Sequence, residues 1–244
     1  MEKLLEELKP TLYYKLHLAG IDLSITKAVV LLFVAALIVF LLVWLAGRKR
    51  EMVPHGLQNM MEALIDFIRL QMVIDVIGPK GMTYFPWIAT LFLLVLVSNL
   101  IGLIPHSMAI TGQTGTTAAW ALIVFGMYNV ATFKEKGFIG WFKSFAPSGV
   151  PAWLLPLIVP IELISTLVLR PFSLAVRLFA NMTAGHMIVL VFTFMAATGT
   201  WFIKPLPFAG VVVMLMFEVF VCFIQAYIFA ILAGIYVGMA VQEH

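Results

Sequence analysis

Five residues between Thr166 and His186, in TLVLRPFSLAVRLFANMTAGH, recur at helical spacing where an apolar run should hold none of them. Thr166, Arg170, Ser173, Arg177 and Asn181 fall at steps of 4, 3, 4 and 4, which makes one polar stripe on an otherwise greasy helix. A guanidinium at membrane depth costs roughly 2.5–3.5 kcal/mol on insertion scales. Arginine stays protonated under any cellular condition. As a fixed cation in a low dielectric it attracts a mobile carboxylate and repels a proton that tries to pass directly. Arg177 is the first candidate for that chemistry, and Asn181, one turn on, can hydrogen-bond whatever arrives there. The competing reading pairs Arg177 with Glu162 or Glu218 of the same chain. Arg170 and Ser173 complete the stripe.

A second group can move protons. His186 follows Arg177 by nine residues, which an ideal helix places on the opposite face. An imidazole of ordinary pKa near ~6.5 beside a carboxyl on a neighbouring helix, such as Glu218, can relay protons near neutral pH. The plainer reading of His186 is a satisfied core histidine. Glu218 and Gln225 are seven apart and share one stripe of the last helix. Gln225 can face Arg177 across the helix pair or make a packing hydrogen bond. Glu162 either lines an exit path or balances Arg170. Asn99 either bonds a neighbouring helix or lines an aqueous cavity.

These residues need a membrane scaffold. The chain has 244 residues, 63% hydrophobic and only 11% charged, against about 25% charged in soluble domains. Its mean hydropathy is +1.06. At about 20 apolar residues per crossing, five or six spans fit in one membrane domain, 1–244, with no room for a soluble catalytic domain. The net charge of +3 reads as loop cations on one membrane side, not as nucleic-acid binding. The one cysteine, Cys222, reads as a small hydrophobe. No metal-type Cys/His spacing, cofactor motif, secretory signal or transit peptide is present. A bacterial plasma membrane is the expected location.

In order, 1–26 is an exposed N-terminal segment. Ala28–Ala46 is the first span and ends at Arg48, Lys49 and Arg50, which favour the cytoplasm and put the N-terminus outside. The segment 56–76 opens on GLQNMMEALIDFIRLQM. There Gln58, Glu62, Asp66 and Arg69 oppose Met61, Leu64, Ile68 and Met72, as in an interfacial amphipathic helix. Tyr84–Ile104 and Thr117–Thr132 are the next spans. The uncharged 107–116 lies between them as an outside loop, and Lys134, Lys136 and Lys143 follow in an inside loop. From 151 to 197 apolar residues run almost unbroken, about 70 Å as a helix against about 30 Å of hydrocarbon. One steeply tilted helix is the favoured solution, and two spans turning at Arg170-Pro171 the alternative. Phe208–Val241 returns as a second long helix, leaving the C-terminus inside. No internal repeat supports a secondary transporter with its own midplane substrate, and the arginine stripe argues against a mere anchor.

The block RPFSLAVRLFANMTAGH resembles the signature of subunit a of F-type ATP synthases. GLQNMMEALIDFIR after the basic loop, SNLIGLIP and QAYIFAILAGIYV resemble that family's other blocks in the same order. The resemblance implies an all-α membrane protein of about five membrane helices plus one interfacial helix. Its last two helices, within 151–243, would form a long tilted hairpin against a ring of c subunits. Arg177 matches the family's essential arginine facing the ring carboxylate, and Asn181 and Gln225 match its polar neighbours. In some members the positions of His186 and Glu218 carry Glu and His, so this exchanged pair fits a shared proton site in the inlet half-channel. Glu162 would lie near the outlet half-channel. Further partners implied are subunit b of the peripheral stalk, the rest of the F1F0 complex and lipid, with no cofactor and no nucleic acid. No GxxxxGK[ST] loop is present, so the chain makes no ATP itself.

Overall fold

The computed structural model describes residues 12–14, 17–18, 21–22, 25–48, 53–104, 110–145, 151, 153–198 and 204–241. Lys49 and Arg50 of the first basic loop, Pro105 and His106, part of the turn after Thr198, and the last three residues lie outside these. The chain is an all-α membrane protein. Its departure from helix is a pair of short antiparallel ladders before the first span. Leu12–Tyr14 pairs with Ile25–Thr26, and His17–Leu18 with Ile21–Asp22, inside the segment read as merely exposed.

Among the described residues five helices are long and apolar enough to cross a membrane. Helix α1 (Lys27–Arg48) buries only Ala28, Ala35 and Val39, so one narrow stripe packs and the rest is free to meet lipid. Helix α2 (Leu57–Phe67) continues through a π-helical stretch, Ile68–Ile74, and a short turn, Asp75–Ile77. It is amphipathic as expected, with Gln58 Nε2 donating to Glu62 on the wet side. Its buried side is Met61, Ile68, Met72, Val73 and Ile77. This unit crosses the C-terminal end of the last helix where Gly234 and Gly238 leave room. A Cβ at Gly234 would stand 3.1 Å from the Met72 carbonyl oxygen.

Helix α3 (Phe85–Gly102), entered through a 3-10 turn (Pro79–Tyr84), is the central post. Ile88, Phe92, Val95, Ser98 and Asn99 are all buried, and α1 and the last helix both pack on it. A helix enclosed on most sides must be apolar all round, and this one has no polar face. A 3-10 turn (Ile110–Gly112) then leads into α4 (Thr114–Lys143).

Helix α4 corrects one expectation. The lysine-bearing stretch after Thr132 is not a loop but more helix, broken only at Gly137 with φ 69° and ψ −178°. That backbone region is open essentially to glycine alone. The break lets 138–143 fold beside the end of the span. Trp141 stacks on Phe133 and donates its indole N–H to Asn129 Oδ1 at 2.8 Å. Aromatic contacts with α4's own end outweigh the pull of the lysines into water.

The long apolar run is one continuous helical rod from Leu155 to Thr198. It comprises α5 (Leu155–Ile164), a π turn (Ser165–Leu169) and α6 (Arg170–Thr198). No loop forms at Arg170-Pro171: the helix runs on through the π turn, whose last bond is the Arg170 N–H to the Ser165 carbonyl, and the missing N–H of Pro171 falls just where regular α bonding is already interrupted. Forty-four residues span about 66 Å, more than twice the hydrocarbon thickness of about 30 Å, so the rod must tilt or extend beyond the membrane. Helix α7 (Pro205–Val241) returns antiparallel. Phe192 faces Gly210, Gly185 faces Glu218, and Arg170 faces Tyr236 and Met239.

Replacing Gly137 by Ala is expected to destabilise the fold-back by about 1–3 kcal/mol, the range for forcing a side chain into such a conformation. Faster tryptic cleavage after Lys143 in membrane vesicles reads this directly, and unchanged cleavage would show that the glycine is dispensable.

Candidate functional site

The stripe predicted from spacing divides in two. A regular helix turns each residue by 100°, so eight residues would leave Glu162 and Arg170 about 80° apart. A π turn holds about 4.4 residues, and five of them bring the eight-residue span to nearly two full turns. Arg170 Nη2 therefore reaches Glu162 Oε1 at 2.7 Å, and Thr166 Oγ1 donates to the same oxygen at 3.3 Å. The guanidinium also lies between two rings, Tyr128 of α4 at 6.0 Å and Tyr236 of α7 at 5.5 Å. Thr166 is buried and Arg170 half-buried. Both were expected on an outward stripe. Thr166 lies within the π turn, which rotates it off that stripe, whereas Arg170 and Arg177 are joined by regular helix and stay about 20° apart. The half-burial of Arg170 reflects the carboxylate and the two rings packed on it.

Arg177 stays outward. It is exposed and, among the described residues, makes no ion pair or hydrogen bond, so neither internal partner weighed for it, Glu162 or Glu218, is engaged. Its neighbours one turn away on the exposed face are Ser173 and Ala180, with Ala184 beyond. Small side chains on both sides of a long cation form a shallow trough that another helix can approach closely. The Ser173 hydroxyl is occupied locally, donating to the Arg170 carbonyl at 3.0 Å.

Toward the start of α7 lies a cavity of ≈ 160 Å³ between α6 and α7. Its polar lining is Asn181, Glu218 and Cys222, and its walls are apolar, with Leu103 from the end of α3 among them. At about 10–15 Å³ per water, it has room for several. Glu218 is 7% exposed and packs on Gly185, where any Cβ would overlap its carboxylate.

His186 is adjacent in sequence to that contact but does not line the cavity, and no hydrogen bond joins it to Glu218 among the described residues. Its Nε2 is buried without a partner, as is Thr183 Oγ1 one turn earlier. Gln225 is 5% exposed with Nε2 unpartnered. It shares the buried stripe of α7 with Glu218 and Cys222, as the seven-residue spacing implied, but does not bond Arg177. Buried polar atoms are ordinarily paired, so these orphans mark where water belongs.

Asn99 does not line this cavity. Its Oδ1 accepts from Thr111 Oγ1 at 2.8 Å, tying the 3-10 turn onto α3. Sequence reasoning missed Tyr128 and Tyr236, whose only signal was a hydroxyl-bearing ring in an otherwise apolar run.

The family model described as ATP synthase A chain matches residues 29–238. Named relatives include ATP synthase subunit a of Xanthobacter autotrophicus, 42% identical over 233 residues covering 93% of this chain and 92% of its own. That of Magnetococcus marinus is 44% identical over 234 residues, covering 94% and 89%. That of Rhodospirillum rubrum is 39% identical over 230 residues, covering 94% of each. A family match over residues 29–238, and relatives above 40% identity over nearly the whole length, identify the chain as a member of the ATP synthase A chain family.

Proposed function

We propose that this chain is the stator of a rotary proton path, in which Arg177 separates two half-channels that open to opposite sides of the membrane. The observation that carries the reading is an order along α6. Arg177 is an exposed cation without an internal partner, and polar clusters lie on either side of it. Toward one end stand Asn181, Glu218 and His186, the last about 13 Å away at 1.5 Å per residue. Toward the other stand Arg170, Thr166 and Glu162.

The direction follows from loop charge. At the C-terminal end of α7 gather Arg48, Arg69, Lys80, Lys134, Lys136 and Lys143, while the described cations at the opposite end are Lys27 and Lys204. The positive-inside bias makes the first end cytoplasmic and, across five spans, puts the N-terminus outside. Protons then enter from outside past His186, Glu218, Asn181 and the orphaned amide of Gln225. They neutralise a carboxylate on a neighbouring ring of c subunits, which then rotates through lipid. On return that carboxylate meets Arg177, loses its proton toward Glu162 and the cytoplasm, and passes as an anion. The trough of Ser173, Ala180 and Ala184 admits the ring helices. Each proton crossing 100 mV delivers about 2.3 kcal/mol, so several must pass per ATP made elsewhere in the F1F0 complex, against a stator braced by subunit b.

Arg177→Ala is expected to abolish proton-driven ATP synthesis while the complex still co-purifies, and retained coupling in that variant would overturn the reading. His186→Ala should slow passive proton entry from outside more than Asn99→Ala, because Asn99 is already committed to Thr111. Equal slowing would remove His186 from the path. Gly185→Ala should assemble, since the added methyl meets the tip of a flexible side chain and not backbone. It should nevertheless cut proton entry by up to about 10²-fold, the scale for misplacing a reacting group by ~1 Å. Shortening the displaced side chain with Glu218→Asp should recover part of that loss.

A further inference from the structure

We propose that Arg170 is a positioning residue for the outlet side of the path, acting through Glu162. This rests on the reading that Glu162 belongs to that side. Three observations carry it. The π turn, Ser165–Leu169, is what brings the two residues onto one face, as the 2.7 Å ion pair shows. The guanidinium is gripped from both neighbouring helices, by Tyr128 of α4 and Tyr236 of α7, and also donates to Met239 Sδ at 3.7 Å. The pair sits at the protein's edge, with side chains 20% exposed for Arg170 and 32% for Glu162.

The geometry gives Arg170 two effects. It fixes the Glu162 carboxylate relative to α4 and α7, with Thr166 fixing the same oxygen from within the rod. A partly exposed glutamate at the end of α5 would otherwise sample several rotamers, and proton transfer demands a set geometry. The pair also cancels the Arg170 charge about 10 Å along the helix from Arg177. Arg177 is then the one uncompensated cation among the described residues of α6. Removing Glu162 alone would expose a second cation near the track of any mobile carboxylate.

The test uses the whole complex in membrane vesicles, measuring passive proton flow after the soluble sector is stripped, with co-purification as the assembly control. Arg170→Gln should assemble and slow flow about tenfold. Arg170→Lys, which keeps the charge on Glu162 but not the two-ring grip, should recover most of it. Arg170→Gln added to Glu162→Gln should cause no further loss, because Arg170 serves the path only through that carboxylate. A further tenfold loss in the double variant, normal flow in Arg170→Gln, or a lysine variant as slow as the glutamine would each overturn the role. If Arg170→Gln fails to assemble, Arg170→Met, which fills the space between the two rings without the charge, takes its place in each comparison. Normal flow in Glu162→Gln would instead remove Glu162 from the outlet and take the role of Arg170 with it.

Discussion

A charge in an apolar medium must be neutralised, hydrated or handed to a partner, and this chain treats its two arginines on α6 differently. Arg170 has a carboxylate at 2.7 Å and an aromatic ring on each side. Such a pair roughly balances its own desolvation and adds little net stability, but losing either member leaves an uncompensated charge. Arg177, two turns later, has no such arrangement. Arg177 is bare on a face of alanines and a serine, and in the proposed reading the missing anion arrives from another chain. In that reading the hairpin, the cavity beside it and the scaffold behind it serve to present that one guanidinium.

Presentation depends on length and on close contacts. A helical rod far longer than the membrane is thick either extends beyond it or runs obliquely, and in the oblique case residues two turns apart differ in lateral position as well as depth. The rod is steadied by α4 and α7, and α7 by the central post α3 and by the π-helical unit after α2. Gly234 and Gly238 allow that unit to lie directly on α7. Gly185 does the same at the cavity, where the absent side chain is the space Glu218 occupies.

Much of this was legible in the residues themselves. Composition and run length gave the spans, and the single long rod followed from the absence of room for a turn at Arg170-Pro171. The seven-residue spacing placed Glu218 and Gln225 on one buried stripe. Arg177 stood out because arginine has no ordinary place there. What could not be read depended on small departures from ideal geometry. A strict 100° period put Thr166 outward with Arg177 and Glu162 off the face of Arg170, whereas one wide turn rotates Thr166 inward and brings Glu162 onto that face. The lysines after Thr132 suggested a loop, whereas a glycine kink and stacked aromatics keep the chain helical. Asn99 looked available until Thr111, twelve residues on, took its oxygen.

The wide turn before Arg170 has an evolutionary corollary. Eight residues there cover the angle that about seven cover in a regular helix. A lineage that gains or loses one residue in this turn can therefore keep its acid and base opposed and leave everything from Arg170 onward undisturbed. The turn works as a splice, absorbing length variation upstream without moving the arginine that matters downstream.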